Sequence, residues 1–248
     1  MAGHNKWSKV KRQKAVTDAR KSQIWARLTR DIMVASREGG GDPDMNAKLA
    51  LAIEKAKAEN MPRENIERAI KRGTGEIEGA DYEEVTYEGY APGGVAVFVE
   101  ALTDNTNRTV ADLRHAFSKA GGSLGQTGSV AFQFERKGVI EVASAGRDEL
   151  ELFELVVDAG ADDLREEDDS FIITTPVERF AQVMTALQNA GIEPEEAGLQ
   201  RIPLTTVKIS PEEAKKVARL IDTLEEMQDV QAVYTTLEMD EETMQAIS

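Results

Sequence analysis

The 248-residue sequence predicts an α+β protein: an N-terminal three-helix domain followed by two ferredoxin-like α/β units, one inserted in the other. Three observations carry this. Apolar residues recur at helical spacing through the first third of the chain, and the period then changes to alternation. The order strand–helix–strand–strand–helix–strand also occurs once intact, enclosed by a second set of strands and helices. The expected domains are residues 1–79, a discontinuous unit of 80–136 with 202–248, and an acidic insertion of 137–201.

The first helix is expected over 15–37. Ile24, Trp25, Leu28, Ile32 and Ala35 share one face, which at 100° per residue puts Arg27, Arg30 and Arg37 opposite and Arg20 on the flank. Gly39-Gly-Gly41 stops it, and Asp42-Pro43 reads as N-cap and first position of a second helix with Met45, Leu49, Ala52, Ile53 and Ala56 inward. A third helix starts near Pro62, buries Ile66 and Ile70 and ends before Gly73. Past a linker of 73–80, alternating stretches at 83–90 and 95–102 flank Ala91-Pro-Gly-Gly94 and read as a hairpin. A helix over 106–120 and a glycine-rich loop of 121–129 lead to an expected strand over 130–135. The insertion reads as strand 139–142, helix 148–158, strands near 163–165 and 171–174, helix 177–190 and strand 197–201. Strand 206–209, helix 211–226 and strand 230–235 complete the enclosing unit, which joins across the insertion as a second pair of βαβ segments.

Charge separates the ends of the chain. The whole is −15, yet residues 1–37 carry ten Lys and Arg against Asp18 and Asp31, a local +8. Residues 1–78 are +6 and residues 79–248 are −21. Such asymmetry points to one end that meets phosphates and another that faces something else. The absence of cysteine removes disulfide and thiolate chemistry, and two histidines, His4 and His115, do not make a Cys/His zinc site. No run approaches the roughly eighteen apolar residues of a membrane span. No apolar core near the start suggests a secretory signal, and the basic stretch runs into capped, amphipathic helices as a transit peptide would not. A cytoplasmic protein that binds no membrane is expected.

The basic segment supplies the main candidate site: Lys6, Trp7, Lys9, Lys11, Arg12, Lys14, Arg20, Lys21, Arg27, Arg30 and Arg37 as nucleic-acid contacts. Cations neutralise phosphates and release condensed counterions, and a tryptophan among them suits stacking on a base or wedging into a groove. The competing readings are that the cations solvate a helix and that Trp7 folds back onto the bundle. A secondary anion site is expected at the start of the helix after Asp104, where Arg108, His115 and Lys119 share a polar face with Asp112; the alternative there is an exposed face with i, i+4 ion pairs. The loop of 121–129 follows a helix, enters a strand and lacks the Gly-Lys-Ser/Thr ending of a phosphate loop. Phe132 and Phe134 are spaced like base-stacking aromatics but lack the surrounding motif, and read as core. The acidic run 162–169 does not match a calcium loop and reads as a solvated hairpin. No catalytic residue, metal or cofactor is expected, and no nucleophile–base pair is evident.

Several of these segments, in order, resemble the YebC/PmpR family over essentially the whole chain. They are Met1-Ala-Gly-His-Asn-Lys-Trp-Ser8, Gly39-Gly-Gly-Asp-Pro43, Asn60-Met-Pro-Arg63, Ala69-Ile-Lys-Arg-Gly-Thr-Gly75, Tyr87-Glu-Gly-Tyr90 with Pro92-Gly-Gly94, and Gly121-Gly-Ser-Leu-Gly125 with Gly128-Ser-Val-Ala131. Ala91 departs from the family's usual glycine, and Thr106 from a commonly basic residue. The resemblance implies a three-domain, non-enzymatic regulator. Relatives are described as DNA-binding transcriptional regulators, and others, one of them mitochondrial, as acting on translation at the ribosome. The expected partner is therefore nucleic acid, either DNA or rRNA or tRNA on the ribosome, with basic proteins a further partner for the acidic units. A third reading is a protein-interaction adaptor.

Overall fold

The computed structural model describes residues 18–78, 82–167 and 169–247, with the backbone alone at 18–23 and 47. The chain divides into two compact units, residues 1–131 with 205–248 and residues 132–204.

The first unit opens with three helices, α1 (Asp18–Gly39), α2 (Ala47–Ala58) and α3 (Arg63–Gly73). Their apolar stripes meet in one core of Leu28, Ile32, Leu49, Ala56, Ile66 and Ala69. Trp25 packs against that core and donates its indole N–H to the Glu59 carbonyl at 3.0 Å, so its polar end ties it to the α2 terminus. Small residues set the spacing: a Cβ on Gly73 would meet the Met33 carbonyl and Ser36, so α3 approaches α1 only with glycine there. The second helix starts four residues later than its Asp-Pro signal suggests. Asn46 is the N-cap, accepting from Leu49 N while its amide donates to the carbonyls of Ala35 (2.8 Å) and Gly40 (2.9 Å). One side chain thereby closes the α1 exit and the α2 entrance, an arrangement Asp42 cannot make without an N–H to donate. Met45 consequently lies 83% exposed instead of on the inward stripe.

The same unit continues with β1 (Glu83–Tyr90), β2 (Ala96–Thr103), α4 (Thr106–Lys119), the two-residue β3 (Ser123–Leu124), α7 (Pro211–Glu225), β8 (Val230–Thr235) and α8 (Glu241–Ile247). The β1–β2 hairpin runs in register from Glu83 opposite Thr103 to Tyr90 opposite Ala96. Its turn bends through Gly93 (φ 74°) and Gly94 (φ 77°). Ala91 has φ −86° and is buried, so alanine serves where the family commonly has glycine. Strand order is β3-β1-β2-β8, all antiparallel. Numbered along this unit the order is 3-1-2-4: the chain enters through a hairpin whose two strands form the centre of the sheet, and the crossovers through α4 and α7 add the edges. Val97, Val99 and Val233 pack against Leu113 and Phe117 of α4 and Leu220, Ile221 and Leu224 of α7. Two expected strands do not form over their length, the first being extended only at 134–135. Residues 131–133 form a 3₁₀ turn, and 206–209 contribute only the bridge Val207–Leu237; the edge is supplied by Ser123–Leu124 within the glycine-rich loop.

The second unit comprises β4 (Phe134–Ala143), α5 (Glu149–Asp158), β5 (Asp163–Glu167), β6 (Ser170–Thr175), α6 (Phe180–Asn189) and β7 (Glu196–Pro203). The order β5-β6-β4-β7 is the ferredoxin-like arrangement with the chain in its usual sequence. Its core is Ile140, Val142, Leu152, Val156, Phe171, Ile173, Val183 and Leu187. Phe132 and Phe134 do not share a face: Phe134 is buried at the start of β4, whereas Phe132 sits in the 3₁₀ turn and is 70% exposed.

Candidate nucleic-acid interface

Two of the arginines expected to contact phosphate are committed inside the first unit. The Arg30 side chain is 4% exposed, lies 3.1 Å from an Asp229 carboxylate oxygen, donates to the Gln228 carbonyl and stacks 5.9 Å from the Tyr82 ring centroid. Arg27 donates to the Glu225 carbonyl at 2.7 Å. Both therefore grip the end of α7 and the turn into β8, where carbonyls left free at a helix C-terminus attract cations. A helical wheel places them opposite the bundle core; the opposite side of α1 is covered by this turn. Burial lowers both guanidinium pKa values, with Glu225 opposing at Arg27 and Asp229 at Arg30.

Asp229 is the node of this contact. Besides Arg30 it accepts from Arg108 (2.7 Å), the Thr109 hydroxyl (2.8 Å) and the Thr103 hydroxyl (3.2 Å). Burial alone would raise its carboxyl, yet the hydrogen bonds from Arg108, Thr109 and Thr103 hold it below the usual carboxylate range. Arg108 is also bonded to Asp104 at 2.9 Å, and the two carboxylates raise its pKa.

The secondary anion site changes accordingly. Arg108 and His115 line an open hollow of about 330 Å³ with Asp112, Met227 and Asp229, where two carboxylates already neutralise the arginine. Lys119 lies instead in a separate hollow of about 700 Å³ between α4 and α7, beside Lys216 and Arg219. The α4 entrance is closed by Asn105, which accepts from Arg108 N at 3.0 Å. The three residues thus share a helix face without converging on one ligand position.

Of the remaining expected contacts, Lys6, Trp7, Lys9, Lys11, Arg12 and Lys14 lie outside the described residues, as do the side chains of Arg20 and Lys21. Arg37 is exposed at the end of α1, its guanidinium 3.4 Å from the Tyr82 carbonyl. The pattern of the first 37 residues does not reveal the cations beyond them. Arg68, Lys71 and Arg72 project from the solvent side of α3, Lys57 from the end of α2, and none has an ion-pair partner among the described residues. Their signal is the inward spacing of Ile66, Ala69 and Gly73, which leaves the 68, 71, 72 positions facing water. In α1 the acid Asp31 is half-buried, close to Lys55 and Arg27; desolvation pushes its carboxyl up to about 6. Among the described residues no cluster of acids and histidines is placed to hold a metal ion. No helix among them is long and apolar enough to cross a membrane.

Two family models together span most of the chain. Residues 5–76 match one described as the TACO1/YebC protein N-terminal domain, and residues 82–237 one described as the TACO1/YebC second and third domain. A "probable transcriptional regulatory protein" of Thermotoga maritima is 53% identical over 248 residues, covering 100% of this chain and 98% of that protein. One of the same description from Salinibacter ruber is 54% identical over 241 residues, covering 97% of this chain and 94% of that one. Among solved structures, the conserved hypothetical protein Aq1575 from Aquifex aeolicus superposes with a TM-score of 0.83 at 48% identity, covering 92% of this chain and 95% of that one.

Proposed function

Because the chain belongs to the TACO1/YebC family, we propose that it is a nucleic-acid-binding regulatory protein, and specifically a DNA-binding regulator of transcription. The observation that carries this is the distribution of cations. The segment 1–37 is +8, and the helices it runs into present Lys57, Arg68, Lys71 and Arg72 to solvent without acidic partners among the described residues. Arg27 and Arg30 act differently: they fix α1 against the α7–β8 turn. Phosphate contact through exposed Lys and Arg supplies affinity and orientation without reading sequence. The names borne by the relatives support a regulatory role.

A second reading, binding to RNA on the ribosome, is favoured by one observation. Residues 132–204 hold 17 acidic and 6 basic side chains, a net −11 that phosphates of a bare duplex repel. A ribonucleoprotein surface, with basic proteins beside RNA, accommodates both ends of the chain.

Crosslinking the protein to nucleic acid in its own cells, followed by sequencing, tests the proposal. Recovery of discrete promoter DNA, reduced by Lys71→Ala/Arg72→Ala, supports the transcriptional reading. Recovery of ribosomal or transfer RNA replaces it with the second, and recovery of no nucleic acid above background rejects both.

A further inference from the structure

Helix α5 (Glu149–Asp158) has one more apolar face than its fold requires. Leu152 and Val156 point into the core of the second unit and are buried. Leu150 (66% exposed), Phe153 (39%) and Val157 (38%) form a second apolar row at i, i+3, i+7 on the solvent side. Single exposed apolar residues are ordinary, whereas an aligned row of a leucine, a phenylalanine and a valine in water is the mark of a contact surface. Beside it runs a row of the same spacing, Glu151, Glu154 and Asp158, all exposed and none in an ion pair among the described residues. With Glu149 and the N-cap Asp148 the helix contributes five carboxylates and no cation.

We propose that this two-row face docks a cationic amphipathic helix of a partner protein. Its apolar side chains would cover Leu150, Phe153 and Val157 while its Lys or Arg residues meet Glu151, Glu154 and Asp158. Charge complementarity selects the occupant. Phosphates are repelled by the acidic row, and an uncharged apolar partner would leave three carboxylates facing low dielectric without compensation. Helix-on-helix contact reads anchors at i, i+3 and i+7, the spacing seen here. This face belongs to the second unit and the cations of α2 and α3 to the first, so it is tested separately from nucleic-acid binding.

The test uses the full chain and a fluorescein-labelled 18-residue Leu/Lys peptide with helical periodicity, against a same-composition peptide with the period broken. Anisotropy titrations at 0.1 M salt are expected to show the periodic peptide binding at least ten-fold tighter. Phe153→Ser is expected to lower its affinity at least ten-fold, and Glu151→Lys/Glu154→Lys to abolish binding and its salt dependence. Circular dichroism and the thermal transition check folding, and Leu150→Ser, at the more exposed position, serves in place of Phe153→Ser should that variant not fold. Nucleic-acid affinity stays at wild-type level in the serine variants. Equal binding of the two peptides, or indifference to both serine substitutions, overturns the proposal. So does sedimentation showing Phe153-dependent self-association, or loss of nucleic-acid affinity in the serine variants.

Discussion

Arg30→Ala tests whether α1 is held by its arginines or displays them. The substitution removes a guanidinium that is 4% exposed from Asp229 at 3.1 Å and from the Gln228 carbonyl. Stranding a buried charge by deleting its partner costs about 3–5 kcal/mol. Asp229 is not stranded, because Arg108 and the hydroxyls of Thr103 and Thr109 remain bonded to it. The orphaned Gln228 carbonyl and the space left beside Tyr82 add to the loss, so the expected destabilisation is about 2–3 kcal/mol. Arg108→Ala, whose side chain is 47% exposed, is expected to cost about 1 kcal/mol. Urea unfolding followed by tryptophan fluorescence reads both, since Trp25 sits on the bundle core. A double-mutant cycle between Arg30 and Asp229 is expected to give a coupling of about 1–3 kcal/mol. Unchanged stability of Arg30→Ala, together with a reduced salt slope of nucleic-acid binding, would refute the anchoring role and restore Arg30 as a phosphate contact.

Two further predictions concern carboxylates withdrawn from solvent in the first unit. Asp31, held at about 6 by burial against 3.8 ordinarily, binds its proton more tightly when folded, so stability is greatest below about pH 4 and falls as pH rises through 6. Asp31→Asn is therefore expected to stabilise at pH 7.5 by up to roughly 3 kcal/mol and to match wild type near pH 3, as measured by thermal unfolding across pH; a larger benefit in acid than at neutral pH would contradict the assignment. Glu88 is buried and accepts from the amides of Gly128 (2.7 Å), Val130 (2.6 Å) and Ala131 (2.8 Å), so Glu88→Ala leaves three donors unpaired. It is expected to cost on the order of 3 kcal/mol and to speed hydrogen exchange at those amides ahead of the rest of the unit.

Local pattern reaches as far as local physics decides. Alternation around Pro92-Gly-Gly94 locates β1 and β2 because a hairpin is specified within its own turn, and the second unit is legible because its chain order matches its topology. Arg30 is misplaced by the helical wheel because its partner Asp229 lies 199 residues on, in a turn that no wheel contains. Asn46 outcompetes Asp42 through bonds to α1 that exist only once the bundle forms. Phe132 reads as core on an alternation that a 3₁₀ turn interrupts, the turn being held by the Glu88 carboxylate some forty residues earlier. Arg68, Lys71 and Arg72 are readable from the α3 stripe but overshadowed by the denser charge before residue 37.

The most direct measurement is the salt dependence of nucleic-acid affinity for the full chain, for Arg68→Ala/Lys71→Ala/Arg72→Ala, and for Arg27→Ala/Arg30→Ala at temperatures where each is folded. If exposed cations of the bundle meet phosphates and the buried pair anchors α1, the triple variant binds more weakly and its log–log slope flattens by about 1 for each cation that no longer meets a phosphate. The double variant keeps the wild-type slope and shows its defect as a lower unfolding midpoint. A triple variant with the wild-type slope, or a double variant whose slope flattens at full stability, would contradict this division of roles.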